Sequence, residues 1–189
     1  MKKILTLCFL IFSGICLHAQ NMSWDLKFLR GREFESQSVA QLIKMKTGEE
    51  FLLSITPFRD CFGYIVGYDS ARNTFILLNE SLKGGNEKYL GPFVLTEPPG
   101  TETLFVIMSI NEQQKLKDLI KIFNDNPGSI RDSDNLREEL AKLQEEASGL
   151  GQPGVAFILG GGTPRGSSQE YVTRFSNKEM YVRPIRIQH

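Results

Sequence analysis

Asp60-Cys61-Phe62-Gly63-Tyr64-Ile65-Val66-Gly67-Tyr68-Asp69, followed by Ser70-Ala71-Arg72-Asn73 and then Thr74-Phe75-Ile76-Leu77-Leu78, is the stretch that decides the fold. A period of two places Phe62, Tyr64, Val66 and Tyr68 on one face and Cys61, Gly63, Ile65 and Gly67 on the other. Neither face carries a charge, which predicts a strand covered on both sides and central to its sheet, with the small-residue face allowing close packing. The polar break at 70–73 before a second apolar run predicts a β-hairpin with a loop of about four or five residues.

Strand periodicity continues to both sides. Trp24 to Leu29 alternates, with Trp24, Leu26 and Phe28 on one face, and Gly48-Glu49 introduces Phe51, Leu53 and Ile55 at the same period. Beyond the hairpin, Lys83-Gly84-Gly85-Asn86 reads as a connection and Tyr89 to Thr96 as an extended stretch. Pro98-Pro99-Gly100 is a turn that no central strand could absorb, and Leu104 to Ile110 is a further buried strand. The period then lengthens. Leu116, Leu119, Ile120 and Phe123 mark an amphipathic helix, with Asn111 and Gln114 spaced as a variant capping box and Pro127-Gly128 as the stop. Leu136, Leu140, Leu143 and Ala147 stripe a second helix from about Ser133 to Ser148, with Glu138 and Lys142 as an i,i+4 pair and Gly149 as terminator.

A glycine-rich segment from Gly149 to Ser168 encloses the apolar run Val155 to Leu159, read as a strand, and two C-terminal strands follow at Tyr171 to Phe175 and Met180 to Ile187. Pro184 argues for an edge position in the last of them. The expected fold is mainly β within the α+β class. It is an antiparallel β-sandwich-like core of about seven to nine strands, with a two-helix insertion at about residues 111–149 before the C-terminal strands.

The first residues carry a different message. Met1-Lys2-Lys3 is a positive start, Ile4 to Leu17 an apolar run, and Leu17-His18-Ala19 precedes Gln20, which is the pattern of a secretory signal peptide. The apolar run falls short of the roughly 20 residues that a bilayer-spanning helix needs. Cleavage after Ala19 is therefore expected, leaving 20–189 as a single exported domain, periplasmic or secreted, with no transmembrane segment. Lipid attachment at Cys16 is a weaker alternative, because Ser13-Gly14-Ile15 lacks a small residue just before the cysteine.

Processing narrows the chemistry. Cys8, Cys16 and His18 leave with the peptide, so Cys61 and His189 are the remaining cysteine and histidine. One cysteine cannot form an internal disulfide or a tetrathiolate metal centre, and Cys61, on an uncharged strand face, reads as a buried small hydrophobe. Ser-His-Asp, Cys-His and histidine-based metal sites are improbable with one imidazole. Lys and Arg number 22 and Asp and Glu 22, a balance that gives no electrostatic case for nucleic acid.

Gly160-Gly161-Gly162-Thr163-Pro164-Arg165-Gly166-Ser167-Ser168 lacks the lysine and the following helix of a phosphate-cradling loop. A loop between strands is the expected role, with Arg165 as its polar handle for a carboxylate or phosphate. The Asn and Asp residues at 124–126 and 132–135 lack the spacing of a calcium loop and read as helix stop and start chemistry. Phe62, Tyr64, Tyr68 and Phe75 read as sandwich core in preference to a ligand-stacking surface. Tyr68 and Asp69 at the strand end, with Asn79 just past the hairpin partner, are the first candidates for an exposed polar rim. No cofactor and no metal is expected.

Several of these segments together resemble the bacterial domain of unknown function 4384 family. They are Gly48-Glu49 before an alternating strand, Asp60-Cys61-Phe62-Gly63-Tyr64-Ile65-Val66 leading to Tyr68-Asp69, Phe75-Ile76-Leu77-Leu78-Asn79, Pro98-Pro99-Gly100-Thr101-Glu102 and Leu104 to Ser109. The resemblance spans about residues 44–110. It departs at Phe62, where the family usually has tyrosine, and at Ser81-Leu82-Lys83, where a proline is common. It implies a compact β-rich module of exported bacterial proteins, often accessory to other domains, and brings no catalytic residues.

The functional expectation is a non-catalytic exported accessory module that recognises a protein or cell-envelope partner. The alternatives are a small hydrolase using carboxylates or a Ser-Lys pair near the glycine-rich loop, and a glycan or small-molecule binder using the tyrosines.

Overall fold

The computed structural model describes residues 21–39, 41–149 and 171–189. The expected signal peptide, the expected strand at 155–159 and Arg165 lie outside the described residues. Ten strands and two helices are described: β1 (Met22–Arg30), β2 (Glu35–Gln37), β3 (Ile43–Lys44), β4 (Glu50–Pro57), β5 (Cys61–Tyr68), β6 (Thr74–Leu82), β7 (Lys88–Val94), β8 (Thr101–Ser109), α1 (Gln114–Asp125), α2 (Ile130–Gly149), β9 (Thr173–Asn177) and β10 (Met180–Gln188).

They form two five-stranded sheets. The first runs β2-β1-β4-β7, with β9 pairing the other half of the β1 edge that β2 occupies; the second runs β3-β10-β8-β5-β6. All pairings are antiparallel except the two-residue pairing of β3 with β10. The expected β-sandwich-like α+β architecture is what the chain adopts.

Alternation along β1 explains the first sheet. Met22, Trp24, Leu26 and Phe28 have no exposed surface and face Ile65, Leu104, Val106 and Ile185 of the second sheet across a shared core. Ser23, Asp25 and Lys27 point the other way, where Asp25 takes a bidentate ion pair from Arg174, both contacts at 2.8 Å.

β5 lies between β8 and β6, as its two uncharged faces predict. Its Cys61, Gly63, Ile65 and Gly67 face the inter-sheet core, whereas Tyr64, Val66 and Tyr68 face a second apolar layer. The two helices supply that layer: Leu116, Ile120 and Phe123 of α1, and Leu136, Leu140, Leu143 and Ala147 of α2, pack on Ile107, Met180 and Val182. The helices cover the outer face of the second sheet, giving three layers.

Neither helix begins as the sequence suggests. In α1 the N-cap is Gln113, which makes no side-chain cap bond; its backbone N–H donates to the Tyr64 hydroxyl at 3.0 Å, and its side-chain amide donates to Ser109 at 2.9 Å. The sheet itself, not a capping box, satisfies the helix end. Helix α2 starts earlier than Ser133, because the Ser129 hydroxyl accepts from the Asp132 N–H at 3.2 Å and serves as its cap. Pro184 faces an open stretch of β10, since β3 pairs only with Ile187 and Gln188.

Burial pushes the Cys61 thiol up to about 11, with the Asp60 carboxylate adding to the effect. At neutral pH Cys61 is therefore expected to resist a thiol-alkylating reagent in the native protein and to react fully once unfolded, a contrast that peptide mass spectrometry reads at that residue. Rapid alkylation of Cys61 in the native protein would mean that the inter-sheet core is open at β5.

Candidate functional site

The sheets end on the same side in β6 and β7, two edge strands joined by 83–87. Each contains a bulge. The β5–β6 register shifts between Ile65 and Val66, so Leu77 and Leu78 both turn toward the inter-sheet core. The β4–β7 register shifts between Phe51 and Leu53, opposite Gly91-Pro92, where Gly91 has φ of 110° and an added Cβ would stand 3.1 Å from the Phe51 carbonyl oxygen. Pro92 has no N–H and the bulges twist the edges, so neither edge is a good template for adding another strand.

Between these edges the sandwich is closed at one end and open at the other. Lys88 of β7 and Glu80 of β6 bridge the gap at 2.8 Å. Further along, a cleft of about 460 Å³ opens between the sheets. Its apolar walls are Phe51, Phe75, Leu77, Phe93 and Leu104, and three carboxylates, Asp69, Glu97 and Glu102, line it as well. Phe51 stacks on Phe28 with ring centroids 5.1 Å apart and meets Phe93 at 5.3 Å, so the aromatic wall is continuous with the core.

Glu102 is held from behind. Its Oε1 lies 3.1 Å from Nε2 of His189, whose Nδ1 lies 3.2 Å from the Thr47 hydroxyl. The His189 backbone exchanges two 3.0 Å hydrogen bonds with Gly100, and its side chain has no exposed surface. An imidazole so enclosed cannot touch a ligand, and its role is to fix the orientation of Glu102. Thr47 in turn sits in a turn fastened by Glu49, which accepts from Arg30 at 2.6 and 3.0 Å and from the Lys46 N–H at 2.9 Å. The Arg30 guanidinium holds the Glu49 carboxyl below the usual carboxylate range.

The sequence-predicted rim is divided by the pleat. Asp69 lines the cleft, but both its oxygens accept from Asn73 at 2.6 Å, so it also shapes the hairpin turn. Tyr68, one residue earlier, faces the opposite side of the sheet and is buried under α2. Asn79 is exposed, opposite Tyr64 in the register and several residues along β6 from Thr74, the partner of Tyr68. Tyr64 and Tyr68 are core residues, which removes the tyrosine-stacking surface. Phe93, Glu97, Glu102 and His189 were not legible as a group: His189 reaches Glu102 across 87 positions and Thr47 across 142, and no spacing rule covers such pairs.

Chemically the cleft offers a greasy slot with carboxylate acceptors beside it. That combination suits a ligand with an apolar group next to a cationic or hydrogen-bond-donating one. No family model, curated protein or solved structure matches this chain.

Proposed function

We propose that this protein is an exported, non-catalytic accessory module that recognises a protein or cell-envelope partner through the cleft between β6 and β7. One observation carries the reading: both sheets end beside a slot walled by Phe51, Phe75 and Phe93 and lined by Asp69, Glu97 and Glu102. The partner segment lays an apolar side chain between the sheets and presents lysine or arginine to the carboxylates. The signal-like first 19 residues and the resemblance to the domain of unknown function 4384 family support an exported accessory role. The protected edges favour side-chain capture over strand addition.

Calorimetric titration with an extended peptide of alternating phenylalanine and lysine tests this, with a phenylalanine–glutamate peptide as the control. The lysine peptide is expected to bind, more weakly as salt rises. Glu97 is exposed, so Glu97→Lys leaves the fold intact and is expected to weaken binding by about 1 kcal/mol, roughly fivefold. Equal affinity for the two peptides, or no effect of Glu97→Lys, would remove the carboxylates from the recognition.

A further inference from the structure

A second groove lies on the other side of the same sheet. Tyr68 of β5 is in register with Thr103 of β8, and Thr103 with Arg186 of β10, so three polar side chains form one row across three strands. Phe105 and Pro184 form the next row on that face, and Arg137, Leu140, Ala141 and Gln144 of α2 stand over both. Together they enclose about 390 Å³. Among the described residues, two guanidinium groups line this space and no carboxylate does.

Its floor contains an unmet hydrogen bond. Tyr68 is 9% exposed, and its buried O–H meets no hydrogen-bond acceptor among the described residues, since the neighbouring Arg137 guanidinium can only donate. Phe105 meets its ring edge-on at 6.1 Å, and the Arg137 guanidinium lies 4.6 Å above the ring centroid, stacked on the face of the ring. Burial raises the hydroxyl well above the ordinary tyrosine range, with Arg137 opposing, so it remains a donor at neutral pH. Arg137 is anchored to the Arg72 carbonyl and lies 3.8 Å from Asp134, whereas Arg186 is exposed and makes no ion pair among the described residues.

We propose that this groove is a binding site for a small soluble ligand bearing an oxyanion, a phosphate or a carboxylate, held by Arg186 and Arg137 and accepting a hydrogen bond from Tyr68. It is independent of the β6–β7 cleft, from which the second sheet separates it. A buried donor left unpaired costs stability in the empty protein, and an oxyanion supplies the acceptor it lacks. Guanidinium groups match phosphate and carboxylate oxygens geometrically as well as in charge.

The test is an NMR titration of the exported chain with inorganic phosphate and, separately, acetate, following Tyr68 ring and Arg186 side-chain signals. Saturable shifts at both residues are expected with at least one of the two anions. Arg186→Gln, at an exposed position, is expected to weaken that binding about tenfold. Tyr68→Phe is expected to weaken it comparably and, without anion, to raise the melting temperature, because it deletes an unsatisfied hydroxyl. Absence of saturable shifts with both anions, or a Tyr68→Phe variant that melts lower than the parent, overturns the proposal. Binding to phosphatidylglycerol vesicles without binding to either soluble anion overturns it too, since a recessed site cannot require a membrane.

Discussion

Trp24→Ala is expected to cost about 3–5 kcal/mol of folding stability, a large share of the roughly 5–15 kcal/mol available to a domain. The indole has no exposed surface and stacks on Phe175 with ring centroids 4.6 Å apart. It also meets Tyr181 edge-on at 5.6 Å, and Phe175 and Tyr181 are themselves 5.1 Å apart. These rings come from β1, β9 and β10, so the trio fastens the N-terminal strand to the C-terminal strands and one sheet to the other. Truncating the indole leaves a cavity that two rings anchored in different sheets cannot close. Trp24→Phe, which keeps a ring in place, is expected to cost distinctly less. Denaturant unfolding followed by circular dichroism measures both. A loss below about 1 kcal/mol for Trp24→Ala would place this tryptophan outside the cooperative core.

Gly67→Ala is expected to damage both stability and the cleft. An added Cβ would stand 2.0 Å from Cε2 and 2.2 Å from Cζ of Phe75, well inside contact distance. The Phe75 ring, a wall of the cleft, has to swing away, at a cost of about 1–3 kcal/mol from overpacking alone. Binding of the phenylalanine–lysine peptide is expected to fall with it. Gly63→Ala is the control on the same face of β5. There the added Cβ meets Cδ1 of Leu82 at 2.7 Å and Cδ2 of Leu78 at 2.9 Å, the ends of side chains that can rotate. Its cost is expected to be smaller, with the cleft preserved. A larger loss for Gly63→Ala than for Gly67→Ala, by melting temperature, would contradict the assigned packing.

The glycines of β5 also show why part of the fold could be read from sequence. Two uncharged faces with glycine on one of them specify a central strand approached closely by a neighbour, and Phe75 is that neighbour. Alternation in β1 and β4 and the stripes of α1 and α2 were legible for the same reason: burial on one side imposes a period. Strands β2 and β3 were not, because three residues and two residues are too short to carry a period. The bulge in β6 was hidden because it breaks alternation where the sequence still reads as an apolar run, at Leu77-Leu78.

Less of the site was legible. Asp69 was identified at the strand end, and it does line the cleft. Its neighbour Tyr68 faces the other way, a consequence of the pleat combined with helices lying over that face, and the sequence did not indicate which sheet face they would cover. The acids Glu97 and Glu102 flank a turn that reads as punctuation. They gain meaning only when β8 brings Glu102 against His189 and β7 brings Phe93 opposite Phe75. The approach of two unpaired edges from different sheets creates the cleft, and local spacing contains no trace of it.

Aromatic NMR of the protein during titration with the phenylalanine–lysine peptide shows whether the β6–β7 cleft is the recognition surface. Saturable perturbations are expected, concentrated on Phe51, Phe75 and Phe93, with the Trp24 and Tyr181 rings unmoved. Perturbations confined to the helices, to the outer face of the first sheet, or to no ring at all would contradict it.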